Sequence, residues 1–203
     1  MKRKLGKLLM GTGMLLILAA FLLTAYNIWE AKKADEASGH ILGHMEDAID
    51  RQNDLEDDQK NPLYQLYPDM EMPVVEIDGI SYIGILEIPS LNLKLPVAAE
   101  WSYPNLRSSP CRYKGSVYQD NMIIAGHNYN RHFGRLKDLN PGDGVCFTDV
   151  DGNRFGYEVV DMEAIPGTAV EDMEAGEWDM TLFTCTYGGK SRVTIRCRRS
   201  ESF

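Results

Sequence analysis

Four cysteines and four histidines are all the thiol and imidazole chemistry this 203-residue chain carries. The cysteines are Cys111, Cys146, Cys185 and Cys197, and none of their spacings makes a CxxC pair. A zinc ribbon, which closes a four-ligand site from such pairs, is therefore not expected. His40 and His44 stand four apart and could face one metal, but no third ligand lies near them. His127 and His132 with a cysteine give no full ligand set either, so no metal and no cofactor are expected. Basic charge is scarce beyond the first few residues: net charge is −9 and residues 1–7 carry +4, so the rest carries −13. Nucleic-acid binding needs a basic face to neutralise phosphates, so that class is set aside. Internal repeats, low-complexity tracts and a second long apolar run are missing too.

The one long apolar run spans Leu8 to Trp29, about 22 residues without a charge. At 1.5 Å per helical residue it can cross a hydrocarbon core of roughly 30 Å. Lys2, Arg3, Lys4 and Lys7 precede it, and basic flanks stay cytoplasmic, which sends the remainder outward. A cleaved leader shares the basic start and apolar centre, with small residues near Thr24 and Ala25 as a cleavage site. Its core is usually ~7–15 residues, however, so the longer run favours a retained single-pass anchor. The expected organisation is a basic tail over 1–7, an anchor over 8–29, a helical stalk and linker over 30–75, and a catalytic domain over 76–203. The stalk, from Glu30 to about Asp58, shows Ile41, Met45 and Ile49 at four-residue spacing on an otherwise acidic helix, a narrow stripe for packing on the next domain.

Pro62, Pro68 and Pro73 mark an irregular connection, after which the texture becomes β-rich. Tyr82–Ile88, Leu93–Val97, Asn121–Ala125, Val145–Thr148, Arg154–Val160, Met180–Thr184 and Arg192–Arg198 fit strands. Asp151 and Gly152 signal a hairpin between two of them. Short helical pieces are expected at Ser102–Leu106 and Phe133–Leu139. Hydrophobic residues make up 44% of the chain, enough for a core, and strands at this spacing suggest a closed barrel or a sandwich.

A nucleophilic thiol must be accessible and must have a partner that favours thiolate. Cys146 lies between Val145 and Phe147, and Cys197 shares an alternating face with Val193 and Ile195, so both read as core. Cys111 follows Pro110 in a loop. Cys185 ends the run Met180-Thr181-Leu182-Phe183-Thr184 and enters a Gly188-Gly189 loop, a position both held and exposed. Histidine suits proton exchange with a thiol near neutral pH, and His127 ends another strand after Gly126, a residue that permits a sharp turn. Arg192 opens the strand after the Gly-Gly loop, and antiparallel pairing would set it beside Cys185, where it could stabilise the oxyanion of an acyl transfer.

Thr181-Leu182-Phe183-Thr184-Cys185, followed by Arg192, resembles the TLxTC signature of the sortases. Gly126-His127-Asn128 with Phe133-Gly134-Arg135-Leu136 resembles the sortase histidine segment, and Gly79 to Pro89 resembles the first barrel strand of that family. The likeness covers roughly Ile77 to Arg199. It implies an all-β domain, an eight-stranded β-barrel with short helices, outside a Gram-positive-type membrane and preceded by the anchor and stalk. It also implies cysteine transpeptidation. Cys185 would attack a backbone carbonyl of an LPxTG-like C-terminal sorting signal in exported proteins, and an amine of a peptidoglycan precursor or a pilin would resolve the thioester. In that scheme His127 is the acid/base, Arg192 the stabiliser and Thr184 a substrate contact. Thr184-Cys185-Thr186-Tyr187 and the helical stalk look like class B. The loop from Cys185 to Arg192 is short, and the segment Asp161 to Asp179 is too short for the long helix of some class B enzymes, so class is left open. Calcium modulates some sortases through acidic residues like Glu163, Glu171, Asp172, Glu174, Glu177 and Asp179, although hard-cation sites need about 6–8 oxygens and acidic loops are usually solvated. Two rival readings use the same chain: a membrane-anchored cysteine peptidase in which water resolves the thioester, and a catalytically silent binding barrel.

Overall fold

A computed structural model describes residues 2–55, 62–186 and 188–201. Glu56, Asp57 and Asp58, expected at the end of the stalk, and Tyr187 lie outside these. The expected anchor and stalk form one helix, α1 (Lys2–Leu55), followed by a short α2 (Leu63–Leu66). No proline falls within α1, so nothing in its sequence removes a backbone donor to break it. Its apolar part is long enough to cross a membrane, and none of it is buried.

Nine strands follow: β1 (Val75–Ile77), β2 (Ile80–Ile88), β3 (Leu93–Ala98), β4 (Cys111–Lys114), β5 (Met122–Gly126), β6 (Gly144–Asp149), β7 (Arg154–Pro166), β8 (Met180–Cys185) and β9 (Ser191–Arg199). Between them lie α3 (Tyr103–Leu106), α4 (Val170–Glu174) and 3-10 turns at Pro89–Leu91, Val117–Gln119 and Phe133–Asp138. The sheet order is β1-β2-β3-β4-β5-β8-β9-β7-β6, and β6 pairs back onto β2. Eight strands therefore close a barrel, with β1 a hairpin strand outside the closure. Closure removes free edges, which resolves the barrel-or-sandwich alternative.

The interior is filled by residues such as Ile83, Leu86, Val97, Ile124, Phe147, Leu182 and Ile195. Outside it, Ile41, Met45 and Ile49 of α1 pack on Ile77, Tyr82, Ile85 and Ala98. Each such side chain contributes about 1.5–3 kcal/mol of burial, so the stripe read from the stalk does seat it on the barrel. The hairpin at Asp151-Gly152 forms with Gly152 at φ 84°. The buried Asp149 carboxylate organises it, accepting bonds from the backbone N–H of Asp151 and Asn153 at 3.0 and 2.8 Å and from the Tyr118 hydroxyl at 2.8 Å.

Two differences from the expected strands have physical causes. β7 runs on to Pro166 rather than stopping at Val160, because β9 offers a partner as far as Ser191 and a bulge between Val159 and Asp161 resets the alternation. Cys111, expected in a loop, is a fully buried residue of β4 opposite Ala125.

Candidate active site

β8 delivers its side chains alternately to the core and the outer face, and its last residue, Cys185, is exposed. The chain turns at once into β9. Thr186 N–H donates to Ser191 O at 2.9 Å, Gly189 N–H to Thr186 O at 2.9 Å, and Ser191 N–H to Thr186 Oγ1 at 3.2 Å. Gly188 and Gly189 hold φ of 86° and 71°, where only glycine is unstrained. This tight turn fixes the register, and Cys185 and Arg192 become cross-strand partners. The Arg192 guanidinium folds back on its own hairpin, donating from Nη1 to Gly189 O at 3.1 Å and to Ser191 O at 3.3 Å. Gly167, at the end of β7, leaves room for it: a Cβ there would stand 3.0 Å from Nη1.

β5 runs parallel to β8, with Gly126 opposite Thr184. The next residues on the two strands are His127 and Cys185, so the expected base and the expected nucleophile leave neighbouring strand ends. Gly126 serves packing rather than a sharp turn, since it is the last residue of β5 and a Cβ there would lie 2.4 Å from the Phe133 ring. The half-buried His127 ring stacks on Tyr129 at 3.9 Å between centroids and 14° between planes. Its Nδ1 is buried and makes no hydrogen bond within the protein. Burial under this cover lowers the His127 pKa, with Glu30 pulling it back up and Arg107 adding to the lowering. The lowered pKa favours the neutral imidazole, the form a general base requires.

Cys185, Arg192 and Thr184 share one cleft of about 230 Å³. Trp101, Tyr103 and Tyr113 form one wall; Pro166, Gly167, Val170 and Met173 form the other. Tyr113 stands edge-on to Phe183 at 5.5 Å, and Trp101 edge-on to Tyr103 at 5.1 Å, so the first wall is a run of aromatic edges. His127 is not among the lining residues; its ring lies back against Tyr129. Thr184 is buried, and its Oγ1 has no hydrogen-bond partner within the protein.

The other thiols are unfit for attack. Cys111, Cys146 and Cys197 are buried and free, and burial pushes Cys111 and Cys197 up to about 12. Cys185 is the exposed thiol among the described residues.

The model of the sortase domain family matches residues 86–200. This chain belongs to the sortase family. Sortase A of Bacillus anthracis is similar over 125 residues at 30% identity, spanning 58% of this chain and 59% of that protein. This sortase therefore spans about three fifths of the length of that curated relative. Among solved structures, sortase C1 from Streptococcus agalactiae superposes with TM-score 0.56 at 23% identity, covering 77% of this chain and 87% of that one. A Clostridium perfringens sortase D5 transpeptidase does so with TM-score 0.56 at 18% identity, covering 76% and 97%. At such identities these two establish the barrel fold.

One residue that supports the cleft was not singled out from the sequence. Arg196, read only as part of an alternating strand, is nearly fully buried on the outer face of β9. Its Nε donates to Glu163 Oε1 at 2.7 Å, Nη1 to Met173 O at 2.8 Å and Thr181 Oγ1 at 3.1 Å, and Nη2 to Asp172 O at 2.7 Å. It ties down α4, whose Met173 and Val170 line the cleft. Its signal was faint: arginine at alternate positions of a strand is usually a solvated face. Three of the six acidic side chains named for this loop are paired locally. Glu163 pairs with Arg196, Glu174 with Lys114 and Asp179 with Arg198. Among the described residues no group of three or more His, Cys, Asp or Glu side chains converges on a metal position.

Proposed function

We propose that this sortase is a membrane-anchored cysteine transpeptidase working through Cys185, His127 and Arg192. The observation that carries the reading is the accessible thiol of Cys185, in register with Arg192 and beside the strand end that carries His127. The Cys185 proton passes to the neutral His127, and Sγ adds to the scissile carbonyl of an extended peptide in the cleft. Arg192 supports the oxyanion. Collapse breaks the C–N bond: the leaving amine takes the proton from His127 and a thioester remains. An incoming amine attacks the thioester, gives its proton to His127, and that proton returns to Sγ as the new amide forms. Thr184, which lines the cleft, is a contact for the bound peptide.

The peptide is a sorting signal of LPxTG-like type in an exported protein, and the amine belongs to a cell-wall precursor or a pilin. The apolar, aromatic-walled cleft suits the uncharged side chains of such a signal. The Leu8–Trp29 stretch of α1 holds the enzyme in the membrane with the barrel outside. The test is mass spectrometry of the full chain in nanodiscs with a mixture of LPxTG-like peptides and oligoglycine. A Cys185 adduct and an amine-exchanged peptide, both absent in Cys185→Ala, are expected. Cleavage without incorporation at any amine concentration would make it a peptidase, and no adduct with any peptide would remove the catalytic reading.

A further inference from the structure

The anchor helix and the histidine loop meet at one level. From Leu9 to Trp29 the side chains of α1 face outward, with only Gly13 partly covered; burial then begins at Glu30 and continues through Ala34, Ser38 and Ile41. The helix starts to pack on the barrel at the residue where its apolar run ends. What it meets first is the loop that carries His127. Asp35 Oδ2 lies 3.4 Å from Arg131 Nε. The Glu30 carboxylate stands beside the Tyr129 hydroxyl, with Tyr26, a turn earlier, within electrostatic reach. The fully buried His132 ring lies against the Ala34 carbonyl. By contrast Lys94, 2.8 Å from Glu46, meets the helix sixteen residues beyond Glu30, roughly 24 Å farther along at 1.5 Å per residue.

Tyr26 and Trp29, in tilted ring contact at 6.2 Å, stand at the outer end of the apolar run, where aromatic residues mark a membrane–water boundary. Glu30, Asp35 and Arg131 follow directly, and they need water or headgroups around them. We propose that loop 127–132 sits in the headgroup layer of the bilayer, with α1 as a stiff spacer that fixes the height of the active site. A site at that height sets how far outside the bilayer surface a membrane-held sorting signal can present its scissile bond. This deepens the transpeptidase reading and rests on it for the substrate, while the placement itself can be measured without any turnover.

In the Cys185→Ala background, the fluorophore-labelled variants Asn130→Cys and Asp50→Cys would be reconstituted in vesicles containing headgroup-quencher lipid. Quenching at position 130 at least three-fold stronger than at 50 is expected; equal or reversed quenching overturns the placement. A second variant inserts seven alanine-rich residues between Trp29 and Glu30. Two helical turns lift the barrel by roughly 10 Å while nearly keeping its face. Quenching at 130 should fall by half or more. Turnover of a sorting-signal peptide joined to a synthetic transmembrane helix should fall at least ten-fold, with the free peptide within two-fold of the unmodified enzyme. Equal turnover of both substrates, or equal loss of both, overturns the height argument. If the unmodified enzyme turns over neither while position 130 is quenched, the transpeptidase reading fails and the placement stands.

Discussion

The two halves of the site are held by different means. Cys185 and Arg192 face each other because β8 and β9 are joined by a glycine turn whose backbone bonds set the register. His127 stands at its strand end by backbone pairing too, but its ring is placed by side chains: Tyr129 beneath it, His132 buried behind, and α1 across both. A register held by backbone bonds tolerates changes in its neighbours, whereas a ring held by packing inherits the stability and the pH response of everything that covers it.

The comparison is broken most directly at Arg192. Arg192→Ala leaves the hairpin register intact, so the fold should survive while kcat/KM for peptide exchange falls about 10²–10³-fold, the cost of losing one oxyanion donor. An unchanged rate, measured beside an unchanged melting temperature, would remove Arg192 from the chemistry.

On the packed side, His132 makes stability depend on pH. Burial lowers its pKa to about 4, so between the unfolded value near 6.5 and about 4 the unfolded chain binds a proton that the folded chain does not. Its contribution is therefore present in full above pH 6.5 and is lost as pH falls through that window, by up to about 3 kcal/mol. Urea unfolding at pH 7 and pH 4 should show the loss, and His132→Phe should reduce it. An identical pH slope in the variant would assign the effect elsewhere.

Arg196 tests whether a wall of the cleft is also held by packing. Arg196→Met strands the Asp172 and Met173 carbonyls, at about 1–3 kcal/mol each where they stay buried, and frees α4. KM should rise about five- to ten-fold with kcat within two-fold, and Arg196→Lys should recover part of it. A fall in kcat at constant KM would contradict a positioning role.

The smallest effect concerns the pH profile. Activity should hold as pH drops below 6.5, because burial lowers the His127 pKa, and should then decline as the ring protonates. Tyr129→Ala uncovers the ring and moves that acid limb upward, toward the ordinary histidine value. Glu30, which raises the pKa, and Arg107, which lowers it, remain in place. An acid limb that stays put would show that the stacked tyrosine is not what desolvates the imidazole.

Much of this was legible in advance. The alternation in Met180–Cys185 and Ser191–Arg199 was readable because each strand buries one face in the barrel, and the glycine pair between them could mean little but a tight turn. The β7 extension was not, because its bulge breaks the period. Nor was β4, a short strand whose buried Cys111 follows a proline.

The amino-acid sequence by itself determined the apolar run, the stripe at Ile41, Met45 and Ile49, and the pairing of Cys185 with Arg192, since each depends on residues near one another along the chain. Tertiary structure alone decided that Arg196 is buried beneath α4 and that the anchor helix lies against the loop of His127. Those contacts join segments tens of residues apart. Their partners are selected by barrel closure and packing volume, quantities that no local pattern of residue types encodes.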